Sequence, residues 1–275
     1  MFRFQRSYRS KIQAVIFDWA GTTVDYGCQA PAGVFVEVFR RHGVEITMDE
    51  ARGPMGTYKR VHLERILAMP SVARRWESAH GRPSNEEDLD TLFHEFIPLQ
   101  VACLADHADI IPGCLETMAS LRSRGIKIGS TTGYNGEMMA VLCAEAERRG
   151  YVPDAMVCMS DVPAGRPAPW MCLENAKRLN VYPMEAIVKV DDTTPGIEEG
   201  LNCGMWTIGL AKTGNELGLG EAEVAALPAE EYARRIERAY THLASVGAHY
   251  VVDGIADVPA CLDDIERRLA SGEKP

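Results

Sequence analysis

The 275-residue chain has no C-x-x-C pair, no long apolar run and no surplus of positive charge. Its eight cysteines are scattered, which argues against a zinc site and against a disulfide framework. A reducing cytoplasm is the expected compartment. No apolar stretch approaches the roughly 20 residues of a membrane-spanning helix. Residues 1–11 are basic (Arg3, Arg6, Arg9, Lys11), but no apolar segment follows, so they read as a solvated tail and not a signal peptide. A net charge of −10 argues against nonspecific nucleic-acid binding. It leaves an anionic small molecule open as substrate, since that needs only local positive charge. There is no internal repeat and no low-complexity segment.

What is present fits a soluble globular protein, with 46% hydrophobic and 25% charged residues. The length allows one large α/β domain or a core with a small second domain. Apolar runs at 14–17, 126–132, 155–159, 186–190, 205–210 and 249–253 have the length and β-branching of buried strands. Helical patterns at 114–124, 136–149, 170–179, 197–201, 221–245 and 258–270 separate or follow them. Such alternation predicts a doubly wound parallel sheet of the α/β class. Residues 27–107 carry helical patterns only, at 32–42, at 48–69 with a break at 53–56, and at 71–107 with a turn near 81–85. This segment is expected to be a helical cap inserted after the first strand. The predicted division is a core of 1–26 and 108–275 with a cap of 27–107.

Ligands of open α/β sheets bind beyond the carboxyl ends of the strands. Four predicted strand ends or the loops after them carry polar residues suited to phosphate and metal chemistry. Asp18 ends the first strand, where a buried carboxylate is costly unless it faces a crevice or a cation. Thr132 ends the second, before Gly133; a helix cap is its competing reading. Arg166 lies in the stiff loop Gly165-Arg166-Pro167-Ala168-Pro169 and could hold a phosphate fork. Asp192 follows Val190-Asp191, and capping of the next helix is the bland alternative.

The segment Phe17-Asp18-Trp19-Ala20-Gly21-Thr22-Thr23-Val24-Asp25 resembles the first motif of the haloacid dehalogenase superfamily. The order Asp18, Thr132, Arg166, Asp192 resembles that superfamily's four motifs: nucleophile, hydroxyl, cation and acidic metal site. The resemblance implies Mg2+ held by Asp18, Asp192 and the Ala20 carbonyl. Hard oxygen donors suit that ion. Most phosphatases of the superfamily carry an acid two residues after the nucleophile; here it is Ala20. Many members also carry an acid four residues after the Asp192 position; here it is Gly196, which leaves Asp191 as a weaker candidate ligand.

Arg52-Gly53-Pro54-Met55-Gly56-Thr57-Tyr58-Lys59-Arg60-Val61-His62 is similar to the cap motif of the phosphonoacetaldehyde hydrolase (phosphonatase) family. Cys28, Thr131-Thr132-Gly133-Tyr134 and Val190-Asp191-Asp192-Thr193-Thr194-Pro195-Gly196 match it too. The resemblance implies hydrolysis of a carbon–phosphorus bond in 2-aminoethylphosphonate breakdown, through a Lys59 Schiff base and an Asp18 aspartyl phosphate. It implies a proton-relay role for His62, partners to that relay in Cys28 and Tyr134, and a cap-closing role for Met55 and Gly56. A phosphonate substrate and a homodimer are implied likewise. A solvated helix lysine, a buried structural histidine, a small core cysteine and a simple helix-start turn are the ordinary fates of Lys59, His62, Cys28 and Gly56. The rival activities are phosphate-ester hydrolysis and sugar-phosphate mutation. Both need acid–base help at an ester oxygen, which Ala20 does not offer.

Overall fold

The computed structural model describes residues 7–275; Arg3 and Arg6 of the basic stretch lie outside the described residues. The strands are β1 (Ala14–Phe17), β2 (Lys127–Thr132), β3 (Ala155–Cys158), β4 (Ile187–Asp191), β5 (Trp206–Leu210) and β6 (Tyr250–Val252). They form one parallel sheet in the order β3-β2-β1-β4-β5-β6. All four side chains of β1 are buried, because helices cover both faces of the sheet. In register, Phe17 pairs with Ser130 of β2 and Val190 of β4. The order reverses direction at β1, so the crevice beyond its carboxyl end is the expected binding place.

Helices α1 (Gln29–Arg41), α2 (Met48–Arg52), α3 (Lys59–Leu67), α4 (Pro70–His80) and α5 (Glu86–Leu104) follow β1. The apolar stripe Val34, Phe35, Val38 and Phe39 faces inward from α1, as its spacing predicts. Phe35 packs on Phe96 with ring centroids 4.5 Å apart, and Phe39 meets Trp76 edge-on at 6.4 Å. Each such burial contributes roughly 1.5–3 kcal/mol, and these side chains belong to the same apolar cluster as Val15 and Phe17 of the sheet.

Two boundaries differ from the sequence pattern for local reasons. The first helix begins three residues early, at Gln29, because the Asp25 carboxylate accepts hydrogen bonds from the Gln29 and Ala30 N–H groups, both at 3.0 Å. Pro70 starts α4 instead of simply ending α3; in a first turn its missing N–H is not needed. The chain returns to the sheet beside its exit point. Ile110 bridges Val24, and the Ile111 N–H donates to the Thr23 carbonyl at 3.0 Å.

The remaining helices are α6 (Cys114–Ser123), α7 (Gly136–Arg148), α8 (Trp170–Leu179), α9 (Thr194–Asn202), α10 (Glu221–Ala226), α11 (Ala229–Ser245) and α12 (Val258–Ser271). The charged region at 221–245 is thus two helices, parted at Leu227-Pro228. No helix among the described residues is long and apolar enough to cross a membrane.

Candidate active site

Asp18 leaves β1 buried, at 5% exposure, and enters a tight turn. The N–H groups of Thr22, Thr23 and Val24 all donate to the Trp19 carbonyl. Gly21 takes a left-handed φ of +90°, and a Cβ there would collide with the Asp192 carboxylate. Glycine is therefore required for the turn to approach β4 so closely. Asp192 is fixed at both oxygens: Thr22 Oγ1 donates to Oδ1 at 3.0 Å and the Asn215 N–H to Oδ2 at 2.7 Å.

Asp18, Asp191 and Asp192 each place an oxygen within 4.8 Å of the others, all buried. Burial, then the nearby Asp191, pushes the Asp18 carboxyl up to about 6, against the pull of Arg166 and Lys189. Burial, then Asp18 and Asp191, pushes Asp192 well above the usual carboxylate range. Like charges so placed need a cation to ionise together. A hard divalent cation with oxygen ligands fits the donor set.

Below these carboxylates lies a second layer of charge. Arg166 donates through Nη2 to Asp18 Oδ1 at 2.7 Å and to Thr131 Oγ1 at 2.7 Å, and through Nε to Glu199 Oε2 at 3.0 Å. Its Nη1 stands 3.3 Å from Asp191. Lys189, fully buried in the middle of β4, sets its Nζ 2.8 Å from Asp191 and 2.8 Å from Thr131 Oγ1. Burial works most strongly against the Lys189 charge, but Asp191 and Glu199 together prevail and the ammonium is held above its ordinary value. Burial alone would raise Asp191; Arg166 and Lys189 prevail and keep it low. Four buried carboxylates (Asp18, Asp191, Asp192, Glu199) thus face two cations (Arg166, Lys189).

Helix α3 contributes the opposing wall. Lys59 is its first residue and is 4% exposed. The ammonium lies 5.5 Å from the Phe35 ring centroid and 5.0 Å from that of Tyr134. Burial lowers its pKa from 10.5 to about 8, with Cys28, Asp18 and Asp25 opposing the fall and Arg166 adding to it. The positive end of the helix dipole acts in the same direction as burial. One turn later, His62 is fully buried and tilted against Phe35 at 3.8 Å. Its Nε2 lies 2.8 Å from the Ala51 carbonyl. A carbonyl only accepts, so Nε2 carries the proton and Nδ1, which has no partner among the described residues, keeps its lone pair. Burial, then Lys59, holds His62 well below its ordinary pKa, so it is neutral.

One cavity collects Asp18, Ala20, Cys28, Met55, Gly56, Lys59, Thr132, Tyr134 and Arg166. His62 and Lys59 both lie against the Phe35 ring, and Asp192 stands beside Asp18. Cys28, Met55 and Ala32 form a small apolar cluster against Ala20. Burial raises both the Cys28 thiol and the Tyr134 hydroxyl far above their usual values, so both stay protonated. The two walls touch at glycines. A Cβ on Gly56 (φ +85°) would overlap Thr193, and one on Gly133 would stand 2.7 Å from the Thr57 carbonyl.

Gly196 has its own explanation. Any side chain there would run into the Asp191 carboxylate, which occupies the space. Sequence reasoning missed Lys189, Glu199, Arg52 and Asn215. Lys189 left a signal as a charge inside an otherwise apolar strand, and Arg52 opens the motif that carries Lys59 but was given no role there.

Comparison with known proteins agrees with this geometry. Residues 12–204 match the family model for haloacid dehalogenase-like hydrolases. The chain is 52% identical to a phosphonoacetaldehyde hydrolase-like protein of Syntrophobacter fumaroxidans, covering 99% of each chain. It is 50% identical to a phosphonoacetaldehyde hydrolase of Nitratidesulfovibrio vulgaris, over 98% of this chain and 96% of that one. The crystal structure of a phosphonoacetaldehyde hydrolase-like protein from Oleispira antarctica superposes with a TM-score of 0.97 at 43% identity, covering 100% of both. With a buried aspartate at the end of a sheet strand, a lysine-bearing helical wall and full-length relatives of this kind, the chain belongs to the haloacid dehalogenase-like hydrolases and, within them, to the phosphonoacetaldehyde hydrolase family.

Proposed function

We propose that the protein hydrolyses the carbon–phosphorus bond of phosphonoacetaldehyde to acetaldehyde and phosphate. One observation carries the reading: a buried amine, Lys59, and a buried carboxylate, Asp18, line one cavity, and Ala20 stands where an ester-cleaving relative keeps an acid. The leaving group of this bond is a carbanion. No oxygen is there to protonate, so an electron sink replaces the acid.

The neutral Lys59 Nζ attacks the aldehyde carbon, and loss of water leaves a protonated imine. An Asp18 oxygen then attacks phosphorus in line. The carbon–phosphorus electrons move into the imine, giving an enamine and an aspartyl phosphate. Water hydrolyses the aspartyl phosphate. The enamine takes a proton at carbon, and hydrolysis of the resulting imine frees acetaldehyde and Lys59. One water is consumed overall. His62, one helical turn from Lys59 with Nδ1 unpaired among the described residues, acts as a transient proton relay, and the protonated Tyr134 and Cys28 lining the cavity act as its partners. Thr132 and Arg166 orient the phosphoryl group and Asp18. Asp18, Asp192 and the Ala20 carbonyl would hold Mg2+, which would supply charge neutralisation for the phosphoryl transfer.

Residues 27–107 act in this reading as a cap that brings Lys59 to the core and excludes water, with Met55 and Gly56 at the closing surface. A homodimer in the cytoplasm completes it, and sedimentation tests the dimer. The deciding experiment is release of phosphate and acetaldehyde from phosphonoacetaldehyde with Mg2+, by the native protein and by Lys59→Arg. Equal release of both products by the native protein and neither by the variant is expected. Turnover of simple phosphate esters, with none of the phosphonate, would assign the chain to phosphate-ester hydrolysis instead.

A further inference from the structure

Arg52 ends α2 on the cap side, yet its side chain is buried, at 9% exposure, among groups from elsewhere. Its Nη1 donates to the Gly27 carbonyl at 2.8 Å and the Cys28 carbonyl at 3.3 Å, in the segment that leads from the sheet to α1. The same Nη1 donates to Asn215 Oδ1 at 3.3 Å, in the loop after β5. Asn215 answers by donating its Nδ2 to the Arg52 carbonyl, also at 3.3 Å. The loop is shaped to this guanidinium. Gly218 has φ +66°, and a Cβ there would stand 2.9 Å from Arg52 Nε.

The other end of the loop grips the metal-site carboxylate. The Asn215 N–H donates to Asp192 Oδ2 at 2.7 Å, and the preceding Gly214 presses on Asp192 so closely that a Cβ would overlap it. Thr213 ties the loop to the nucleophile turn through Gly21, its Oγ1 donating to that carbonyl at 3.0 Å. One residue therefore holds Arg52 with its side chain and Asp192 with its backbone.

We propose that Arg52 and Asn215 are positioning residues that couple closure of the cap to the orientation of Asp192. With the cap closed, Arg52 fixes Asn215, and the Asn215 N–H holds Asp192 in the attitude that accepts the cation. With the cap open, Arg52 withdraws and that N–H loses its support. Such coupling is reciprocal: whatever fills the metal site also favours the closed cap. The inference rests on the proposed Mg2+ site, and its test separates the two.

Mg2+ binding is measured by calorimetry on the native protein, Arg52→Met, Asn215→Ala and the double variant, with thermal melts to check folding. Partners of metal ligands typically change affinity by about tenfold or more when removed. Arg52→Met, which touches no proposed ligand, and Asn215→Ala, which keeps the N–H that meets Asp192 and removes only the side chain that Arg52 holds, are each expected to weaken Mg2+ binding several-fold. The double variant should be no worse than Asn215→Ala, because both substitutions break one chain of contacts. Hydrogen exchange gives the reciprocal readout: Mg2+ should slow exchange at residues 53–57 in the native protein and not in Arg52→Met. Arg52→Lys, which keeps the charge and the buried stem, replaces Arg52→Met if that variant fails to fold, with the same loss of affinity expected. Native affinity in the Arg52 variant, or additive losses in the double variant, would overturn the coupling and leave the metal site standing. Absence of Mg2+ binding by the native protein would overturn both.

Discussion

In the proposed reaction the Lys59 amine must be neutral to attack, and its surroundings set how often it is. With an ordinary pKa of 10.5, only about one lysine in 3,000 is neutral at pH 7. At about 8, the value its burial imposes, about one in ten is neutral. The gain is roughly 300-fold in reactive amine. The same shift has a cost in stability. In the unfolded chain Lys59 holds its proton up to about 10.5, while in the folded chain it gives it up near 8. The folded state binds fewer protons between those values, so stability rises with pH across that window. Below it, the buried charge costs about 3 kcal/mol, an order-of-magnitude figure from the shift. Two measurements follow. The native kcat/KM for phosphonoacetaldehyde should climb about tenfold per pH unit below 8 and flatten above it, and borohydride should trap substrate on Lys59 alone. Urea unfolding of Lys59→Met should show a more stable protein at pH 7, with the advantage shrinking towards pH 10. A flat rate profile through pH 8, together with a Lys59→Met variant no more stable than the native protein, would refute the account of a desolvated amine.

Three other perturbations test the walls of the site. Gly56→Ala forces a side chain into a left-handed backbone and into Thr193, so kcat/KM should fall by about a hundredfold while far-ultraviolet circular dichroism stays native. Gly196→Asp restores an acid found in many relatives of the superfamily, yet the new side chain meets Asp191; thermal melts with and without Mg2+ should show lower stability and no gain in metal protection. His107 is half-buried beside Asp25, whose carboxylate raises its pKa. A raised folded value means that the pair contributes stability below pH 6.5 and loses it as pH rises through the folded pKa. The stability difference between native protein and His107→Gln should therefore shrink from about pH 5.5 to pH 8.5, and a constant difference would refute it.

The parts legible in the sequence are those whose physics is local. A parallel strand buried on both faces must be a short apolar run, so β1 and β4 show themselves, and Asp18 and Asp192 stand out as charges just past their ends. The stripe on α1 is visible because its period is that of the helix. The start of α1 was not legible, since it depends on an Asp25 carboxylate four residues away in a turn of left-handed backbone. The second layer of charge was hidden for a stronger reason. Lys189 acquires its meaning from Glu199 and Asp191, and those three converge with Arg166 only when α9 packs on β4. Arg52 and Asn215 lie 163 positions apart and meet only because the end of α2 folds back onto the loop after β5. No spacing rule connects them.

Ala20 shows how one small side chain sets the chemistry of the whole cavity. An aspartate in that place would share the cavity with Lys59. An opposite charge within reach favours the charged amine, by about 1–3 pKa units for a near partner. Each such unit would remove about nine-tenths of the neutral lysine at pH 7. An acid at position 20 would therefore do more than stand idle against a carbon leaving group; it would disarm the amine proposed to replace it. The residue present does the reverse. The methyl group of Ala20 packs with Cys28, Ala32 and Met55, and that apolar patch keeps water and counter-charge away from the lysine. The acid of ester hydrolysis and the imine of carbon–phosphorus cleavage are thus electrostatically incompatible in one pocket of this shape. A chain that buries Lys59 here has to be uncharged at position 20.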